Sequence, residues 1–357
     1  MDKREKYIFL SFFFLFFLGE VCFHLYYGSF VKFSGNEKRN PYYRRAWREY
    51  VKSFPPKKKN VFRILFISNS QGYGKEFDAD CIISSRMENF LNESGKGKFE
   101  VLNLSVGGGQ APEFLFLVGI SKKLNPDLLF FSLSPANFGS KVINKRLRDF
   151  TSDAPLELYE DVPSTFFPEG FKNKYVDTEF CLSSFFYNNF KSYPISSLIL
   201  DGLGMKFHKF KRFFNPSLQN RWIFSKKRRG IKERKREEIV IIRRLLKKSE
   251  DIDVKMLKDF VYCVKKCKIP AIFLVQPVRK KGYEEYKKYF EKFDAILSKY
   301  SSPSFVYIDF SRKIDDKFFF DNVHLTKAGH RVVGKRFSEI VLNWLKLDLK
   351  KKFYVLK

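Results

Sequence analysis

Val61-Phe62-Arg63-Ile64-Leu65-Phe66-Ile67, followed at once by Ser68-Asn69-Ser70-Gln71-Gly72, decides the fold. The first seven residues are a continuous β-rich apolar run, the pattern of a strand buried on both faces rather than one alternating between core and water. Residues 99–104, 128–133, 271–276 and 305–310 repeat the type. Helical patterns fall between them, over 78–91, 112–124, 238–248, 253–268, 283–300 and 326–345. Pro112 sits where a first helical turn tolerates proline, and Thr326 is a good N-cap. Alternation of this kind predicts an α/β domain, a parallel five-stranded sheet covered by helices on both faces, with ligands at the C-terminal strand ends. The domain spans 61–350, and the stretch at about 139–235, aromatic, basic and without a clear period, reads as a large insertion after the third strand.

Length and composition narrow the class. The chain has 357 residues, 44% of them apolar, which is enough to build a core and excludes a disordered tail. Lys and Arg number 68 against 39 Asp and Glu, a formal net charge of +29 that favours anionic partners such as phosphates or lipid head groups. A proteome-wide bias toward Lys and Phe would also spread basic residues over every segment, as they are spread here. Five cysteines (Cys22, Cys81, Cys181, Cys263, Cys267) form no Cys-x-x-Cys pair, which excludes a disulfide framework or a zinc ribbon as the organising principle.

Residues 1–33 read as a membrane anchor. Residues 7–18 are nearly unbroken hydrocarbon and aromatic, and 21–30 extend them past Gly19 and Glu20, reaching the roughly 20 residues a bilayer span needs. A cleaved signal peptide is the rival, but no Ala-x-Ala-like site follows. Glu20 and His24 lie four apart on one helix face, placed to bond each other or a partner helix, or to snorkel. Residues 34–60 carry nine Lys or Arg against two acids, with Tyr42, Tyr43, Trp47, Tyr50 and Val51 at helical spacing. This basic juxtamembrane linker is expected to lie on head groups and to end at Pro55-Pro56. The positive-inside rule would keep the folded domain cytoplasmic, while a large downstream domain overrides that rule, and the domain is expected outside the cytoplasm.

Four stretches at strand ends carry the chemistry. In Ser68-Asn69-Ser70-Gln71-Gly72, a serine on a sharp strand-to-helix turn exposes its hydroxyl and sets its own N–H at a helix start, although a helix cap alone would account for it. In Asn103-Leu104-Ser105-Val106-Gly107-Gly108-Gly109-Gln110, three glycines let backbone approach a ligand and turn an amide toward it, or simply make a flexible turn. In Ser132-Leu133-Ser134-Pro135-Ala136-Asn137-Phe138, Asn137 offers a side-chain amide or an ordinary turn residue. The most specific is Asp321-Asn322-Val323-His324-Leu325-Thr326-Lys327-Ala328-Gly329. A general base for a serine must be a neutral imidazole oriented through its other nitrogen by an acceptor, and Asp and His three apart before a capped helix supply both. Of four histidines, His24 is in the apolar segment, His208 in the insertion and His330 inside the last helix, so His324 is the one in a strand-end loop.

Taken together, the four stretches resemble the SGNH hydrolases, also called the GDSL-like family, in the order Ser, Gly, Asn and then Asp-x-x-His. Carried over by position, Ser70 matches the nucleophile, Gly108 the second-block glycine, Asn137 the third-block asparagine, and Asp321 with His324 the last two catalytic positions. The family's Gly-Asp-Ser is Ser68-Asn69-Ser70 here, Ser105 stands at a frequent glycine position, and the third block reads Ser-Pro-Ala-Asn. The resemblance implies a flavodoxin-like three-layer α/β/α fold and a serine esterase or O-acyltransferase working through acyl-Ser70. His324 would be its base, and the N–H groups of Ser70 and Gly108 with the Asn137 amide its oxyanion hole, with no metal or cofactor. The charged anchor and insertion look more like the envelope-polysaccharide O-acetylation branch than like secreted lipases. This implies an acylated carbohydrate or lipid ester as substrate and an integral-membrane acyltransferase as partner. A catalytically silent scaffold that binds acylated glycan or such a partner is the alternative of a different class. The basic stretch 221–248, thirteen Lys or Arg against three acids, fits anionic lipid, polyanionic glycan or a solvated helix face better than nucleic acid, for which no recognition module is present.

Overall fold

In the computed structural model, residues 3–30, 54–74, 77–139, 166 and 251–355 are described. Five strands form one sheet: β1 (Val61–Ser68), β2 (Lys98–Asn103), β3 (Leu128–Leu133), β4 (Ala271–Val275) and β5 (Phe305–Asp309). All pairings are parallel, in the order β2-β1-β3-β4-β5. This is the doubly wound order, in which the chain reverses its winding between β1 and β3 and opens a crevice beyond their C-terminal ends. Helices α1 (Lys3–Phe30), α2 (Ser70–Tyr73), α3 (Ile83–Glu93), α4 (Ala111–Ser121), α5 (Val254–Lys266), α6 (Lys280–Leu297) and α7 (Lys327–Val355) complete the described elements.

The apolar runs are strands because both of their faces are covered. On one side α4, α5 and α6 pack over Leu65, Ile67, Leu129, Phe131 and Phe273. On the other, Val333, Phe337 and Val341 of α7, with Ile83 and Met87 of α3, cover Ile64, Phe66, Phe130 and Leu274. Phenylalanines dominate both layers: Phe337 lies 5.1 Å from Phe130 and 5.3 Å from Phe310, and Phe260 meets Phe131 edge-on at 5.3 Å. Such tilted pairs add to area burial about 0.5–1.5 kcal/mol each. α4 is buried all round, which explains why its sequence has almost no polar face.

Local signals set most boundaries. Asp253 accepts from the Met256 N–H at 2.9 Å and starts α5, and Thr326 Oγ1 accepts from the Gly329 N–H at 3.1 Å and starts α7. α3 begins later than the apolar periodicity suggests, because residues 78–81 close a turn through the Cys81 N–H and the Asp78 carbonyl (2.9 Å). α1 is one continuous helix with Tyr7, Ile8, Leu10, Phe14 and Leu15 exposed. Among the described residues no helix is long and apolar enough to cross a membrane. The expected juxtamembrane helix, the insertion at about 139–235 and the basic stretch 221–248 lie outside the described residues, apart from Phe54 to Asn60, Gly139 and Phe166. Phe166 is buried beside Cys263.

One residue breaks the apolar reading of β1. Arg63 is 2% exposed and fully used: its Nε bonds Glu100 at 2.7 Å, its two terminal nitrogens donate to the carbonyls of Leu124 and Pro55 at 2.8 Å, and its backbone N–H donates to Asp127. A buried guanidinium with a hydrogen bond from each of its three nitrogens ties the end of the linker to β1, β2 and the approach to β3. Replacing it leaves three acceptors without a donor. Arg63→Met is expected to lower unfolding stability in urea by about 3 kcal/mol, and a loss below about 1 kcal/mol would mean that the cation is dispensable.

Candidate active site

β1 and β3 end in register, Ser68 beside Ser132, and the Ser68 hydroxyl donates to the Ser132 carbonyl at 2.7 Å. Immediately beyond, the chain turns. Asn69 caps α2 by accepting from the Gln71 N–H at 3.0 Å, and Gly74 closes the short helix in the left-handed region at φ 54°. The turn buries Asn69 and Gln71 and leaves Ser70 between them partly open. Gly72 makes the turn possible. A Cβ there would sit 2.4 Å from Ser68 Cβ, 2.6 Å from the Phe66 ring and 2.6 Å from Ser105 Oγ. The hydroxymethyl of Ser105 therefore occupies the space that Gly72 vacates.

The loop after β5 brings the imidazole. A bridge between Phe319 and Leu325, with the Phe320 N–H donating to the His324 carbonyl at 3.0 Å, folds residues 319–325 into a tight turn. Asp321, 6% exposed, accepts from the backbone N–H groups of Val323 (2.8 Å) and His324 (2.6 Å) and lies 2.7 Å from His324 Nδ1. Burial pushes the Asp321 carboxyl up, but the bonds and charge from His324 and the two N–H groups outweigh it and hold the carboxyl below its ordinary value. A carboxylate can only accept, so the proton between them belongs to Nδ1. In the neutral ring Nε2 then accepts, and it stands 3.1 Å from the Ser70 hydroxyl, across 254 residues of sequence. The Phe320 ring lies nearly parallel to the imidazole, centroids 5.6 Å apart, and limits its rotation.

The other two expected positions lie on the same end of the sheet. Gly108 is exposed in the turn after β2, at φ 63°, between buried neighbours. Asn137 is buried in a 3₁₀ turn. Its Oδ1 accepts from the Ser134 N–H (2.8 Å), the Ser134 hydroxyl (3.2 Å) and Asn69 Nδ2 (3.0 Å), and its Nδ2 donates to the Gly109 carbonyl at 2.8 Å. Asn69 Nδ2 also donates to Gln276 Oε1 at 2.6 Å. One chain of carboxamides thus joins the residue before Ser70, the Asn137 turn and the glycine turn. His324 contacts both Asp321 and Ser70, and Asn137 is bonded to Asn69, the residue before Ser70.

Three residues escaped the sequence reading. Asn69 and Gln276 orient Asn137, and Gln71 clasps the imidazole loop. Gln71 Nε2 donates to the Pro277 carbonyl at 2.9 Å and to the Val323 carbonyl, while its Oε1 is buried without a partner among the described residues. Gln71 and Gln276 were visible only as polar residues at strand ends, and no spacing marks what they touch. Of the other histidines, His330 is buried edge-on to Phe77, and His208 lies outside the described residues. Burial first, and each other's proximity in the case of Cys263, push the thiols of Cys263 and Cys267 up to about 12 and about 11, so neither is a thiolate at neutral pH. Among the described residues no group of His, Cys, Asp and Glu is arranged to hold a metal ion.

No family model matches the chain, and no curated protein matches it. Among solved structures it is similar to the crystal structure of the lipase Lip_vut3 from goat rumen metagenome, with 13% identity, 77% of this chain and 95% of that chain covered and a TM-score of 0.36. A likeness at that level carries no argument about what this chain does.

The Gln71 clasp is testable without any assumption about chemistry. Gln71→Glu sets a carboxylate against two carbonyl oxygens. It is expected to cost about 1–3 kcal/mol in urea unfolding and to accelerate hydrogen exchange over residues 321–325. Unchanged stability and exchange would remove Gln71 from the positioning of His324.

Proposed function

We propose that this chain is a serine hydrolase of the SGNH type. More narrowly, we read it as an esterase or O-acyltransferase that handles an acylated envelope glycan or lipid through an acyl-Ser70 intermediate. The observation that carries the reading is the relay from Asp321 through His324 to Ser70, 2.7 Å and 3.1 Å long, at the C-terminal edge of a parallel sheet. His324 Nε2 takes the Ser70 proton as Oγ attacks an ester carbonyl, then returns it to the departing alcohol. Asp321 holds the ring and stabilises the imidazolium. Acylation forms the Ser70 Oγ–acyl bond and breaks the ester C–O bond; water or a sugar hydroxyl then takes the acyl group by the reverse proton route.

The oxyanion would be met by the N–H groups of Ser70 and Gly108 and by Asn137. With its Oδ1 saturated and one Nδ2 proton on the Gly109 carbonyl, Asn137 has its second Nδ2 proton for a developing charge, and a donor so placed contributes about 3 kcal/mol. α1, with its exposed apolar side chains, supports a tether to a membrane as part of the same reading.

Wild-type protein is expected to be labelled by a fluorophosphonate and to turn over p-nitrophenyl acetate, and Ser70→Ala to lose both while melting normally. Labelling that survives in Ser70→Ala overturns the assignment; folded wild type that is never labelled moves it to the silent scaffold. Asp321→Asn is expected to cut kcat about 10³–10⁴-fold, as removal of an imidazole-orienting carboxylate does. Because the folded-state pKa of Asp321 is depressed, its contribution to stability is complete above the ordinary carboxylate value near 3.9 and fades as pH falls through the folded value. Urea unfolding should therefore separate wild type from Asp321→Asn at neutral pH and bring them progressively together as the pH falls below the ordinary carboxylate range.

A further inference from the structure

Among the described residues, the two ends of the sheet differ in net charge. Where the strands begin, each is approached past an exposed lysine: Lys59 before β1, Lys96 before β2, Lys122 before β3, Lys268 before β4 and Lys299 before β5, joined by Lys346 near the end of α7. None of these six has an ion-pair partner among the described residues. Asp127, an acid on that end, is occupied by Lys57 at 2.6 Å and by the Arg63 N–H. Where the strands finish, cations stand among acids. Arg279 pairs with Asp316 and Lys317 with Asp315, and Asp321 adds its own charge. Lys280, Lys281, Lys313 and Lys327 are exposed at that end as well, so lysine loads both ends, and it is the acids Asp309, Asp315, Asp316 and Asp321 that set the two apart among the described residues.

The lysine end also has shape. A cleft of about 560 Å³ opens there, lined by Phe62, Phe99, Trp344, Lys96, Lys98 and Lys346. Gly95 and Gly97, both at positive φ, flank Lys96 in the loop, with open space at Gly95 and the Phe99 ring 3.8 Å from where a Cβ on Gly97 would sit. In the sequence this end of the sheet follows α1, on which Tyr7, Ile8, Leu10, Phe14 and Leu15 are exposed.

We propose that the strand-start end of the sheet docks on an anionic lipid surface, the lysines on head-group phosphates and the cleft around a head group. The candidate active site then points away from the bilayer. The eight residues of β1 separate the two ends by about 26 Å at roughly 3.3 Å per residue. At that height Ser70 meets acyl groups carried on a glycan or another solvent-borne acceptor, not esters held within the bilayer; this last step rests on the acyl-transfer reading above, while the docking does not.

Hydrogen exchange of the full chain on vesicles tests it. With phosphatidylcholine vesicles containing roughly 30% phosphatidylglycerol, exchange over 94–98, 122–125 and 266–270 is expected to slow roughly tenfold relative to phosphatidylcholine alone, and the effect to vanish in high salt. The triple variant Lys96→Glu, Lys122→Glu, Lys268→Glu should lose the protection while keeping its melting temperature; if it misfolds, the salt titration of wild type decides. Equal exchange on both vesicles, protection at 278–281 and 312–317 instead, or the same protection from dextran sulfate without vesicles would each overturn the proposal. Flotation with neutral vesicles reports on α1 separately, and fluorophosphonate labelling of the same samples reports on Ser70, so failure of the docking, of the tether and of the acyl reading are told apart.

Discussion

Five parallel strands that end together bring the residues after them to one edge of the sheet, and beyond Ser68 and Ser132, where β1 and β3 run side by side, several polar side chains are buried. Every polar group turned inward must find a protein partner. Asn69, Asn137, Gln276 and the amide nitrogen of Gln71, all nearly inaccessible, meet that demand across four loops, while Gln71 Oε1 has no partner among the described residues. The contact between His324 and Ser70 depends on this closure. An imidazole loop on the last β-α connection reaches a serine on the first only because Gln71 grips the carbonyls on either side of the gap and the Arg279 N–H holds the Asn322 carbonyl at 2.9 Å.

What could be read from the amino acids follows from the same physics. Strands buried on both faces have no polar side, so their runs are conspicuous, and β3 falls on its expected residues with the others within a position or so. Arg63 is the exception, since a run of β-rich hydrocarbon gives no hint that one guanidinium within it will be surrounded by carbonyls and a carboxylate. Helix starts marked by a side-chain cap, Asp253 and Thr326, were legible; the start of α3, delayed by a turn whose bonds are all backbone, was not. In the site, Ser70, Asp321 and His324 stand out because few residue types can play their parts. Gln71 and Gln276 do not, because an amide at a strand end acquires its role only from what the other loops present to it.

Composition misleads in a related way. A charge of +29 spread along the chain looks uniform when read in order, and a bias toward lysine explains it adequately. Folding divides the described lysines between two ends and gathers Asp309, Asp315, Asp316 and Asp321 at one of them. Parallel winding sends every strand-preceding loop to one end and every strand-following loop to the other, so a lysine's position relative to the next strand decides which end it charges. The difference in net charge between the described ends emerges only on folding.

The neutral Asn69 next to Ser70 also makes sense at this level. A carboxylate in its place would have no N–H for Asn137 Oδ1 or Gln276 Oε1, and both amides would have to turn, which would bring Asn137 Oδ1 against the Gly109 carbonyl and its Nδ2 against the Ser134 N–H. It would also place a negative charge one residue from the point where an oxyanion would grow, in surroundings too dry to screen it. The one carboxylate in contact with the imidazole, Asp321, lies on its far side from Ser70, where under the proposed acyl chemistry its negative charge would assist proton removal from Ser70. Separating the two by the width of a ring lets one site favour a positive imidazolium and a negative oxygen together.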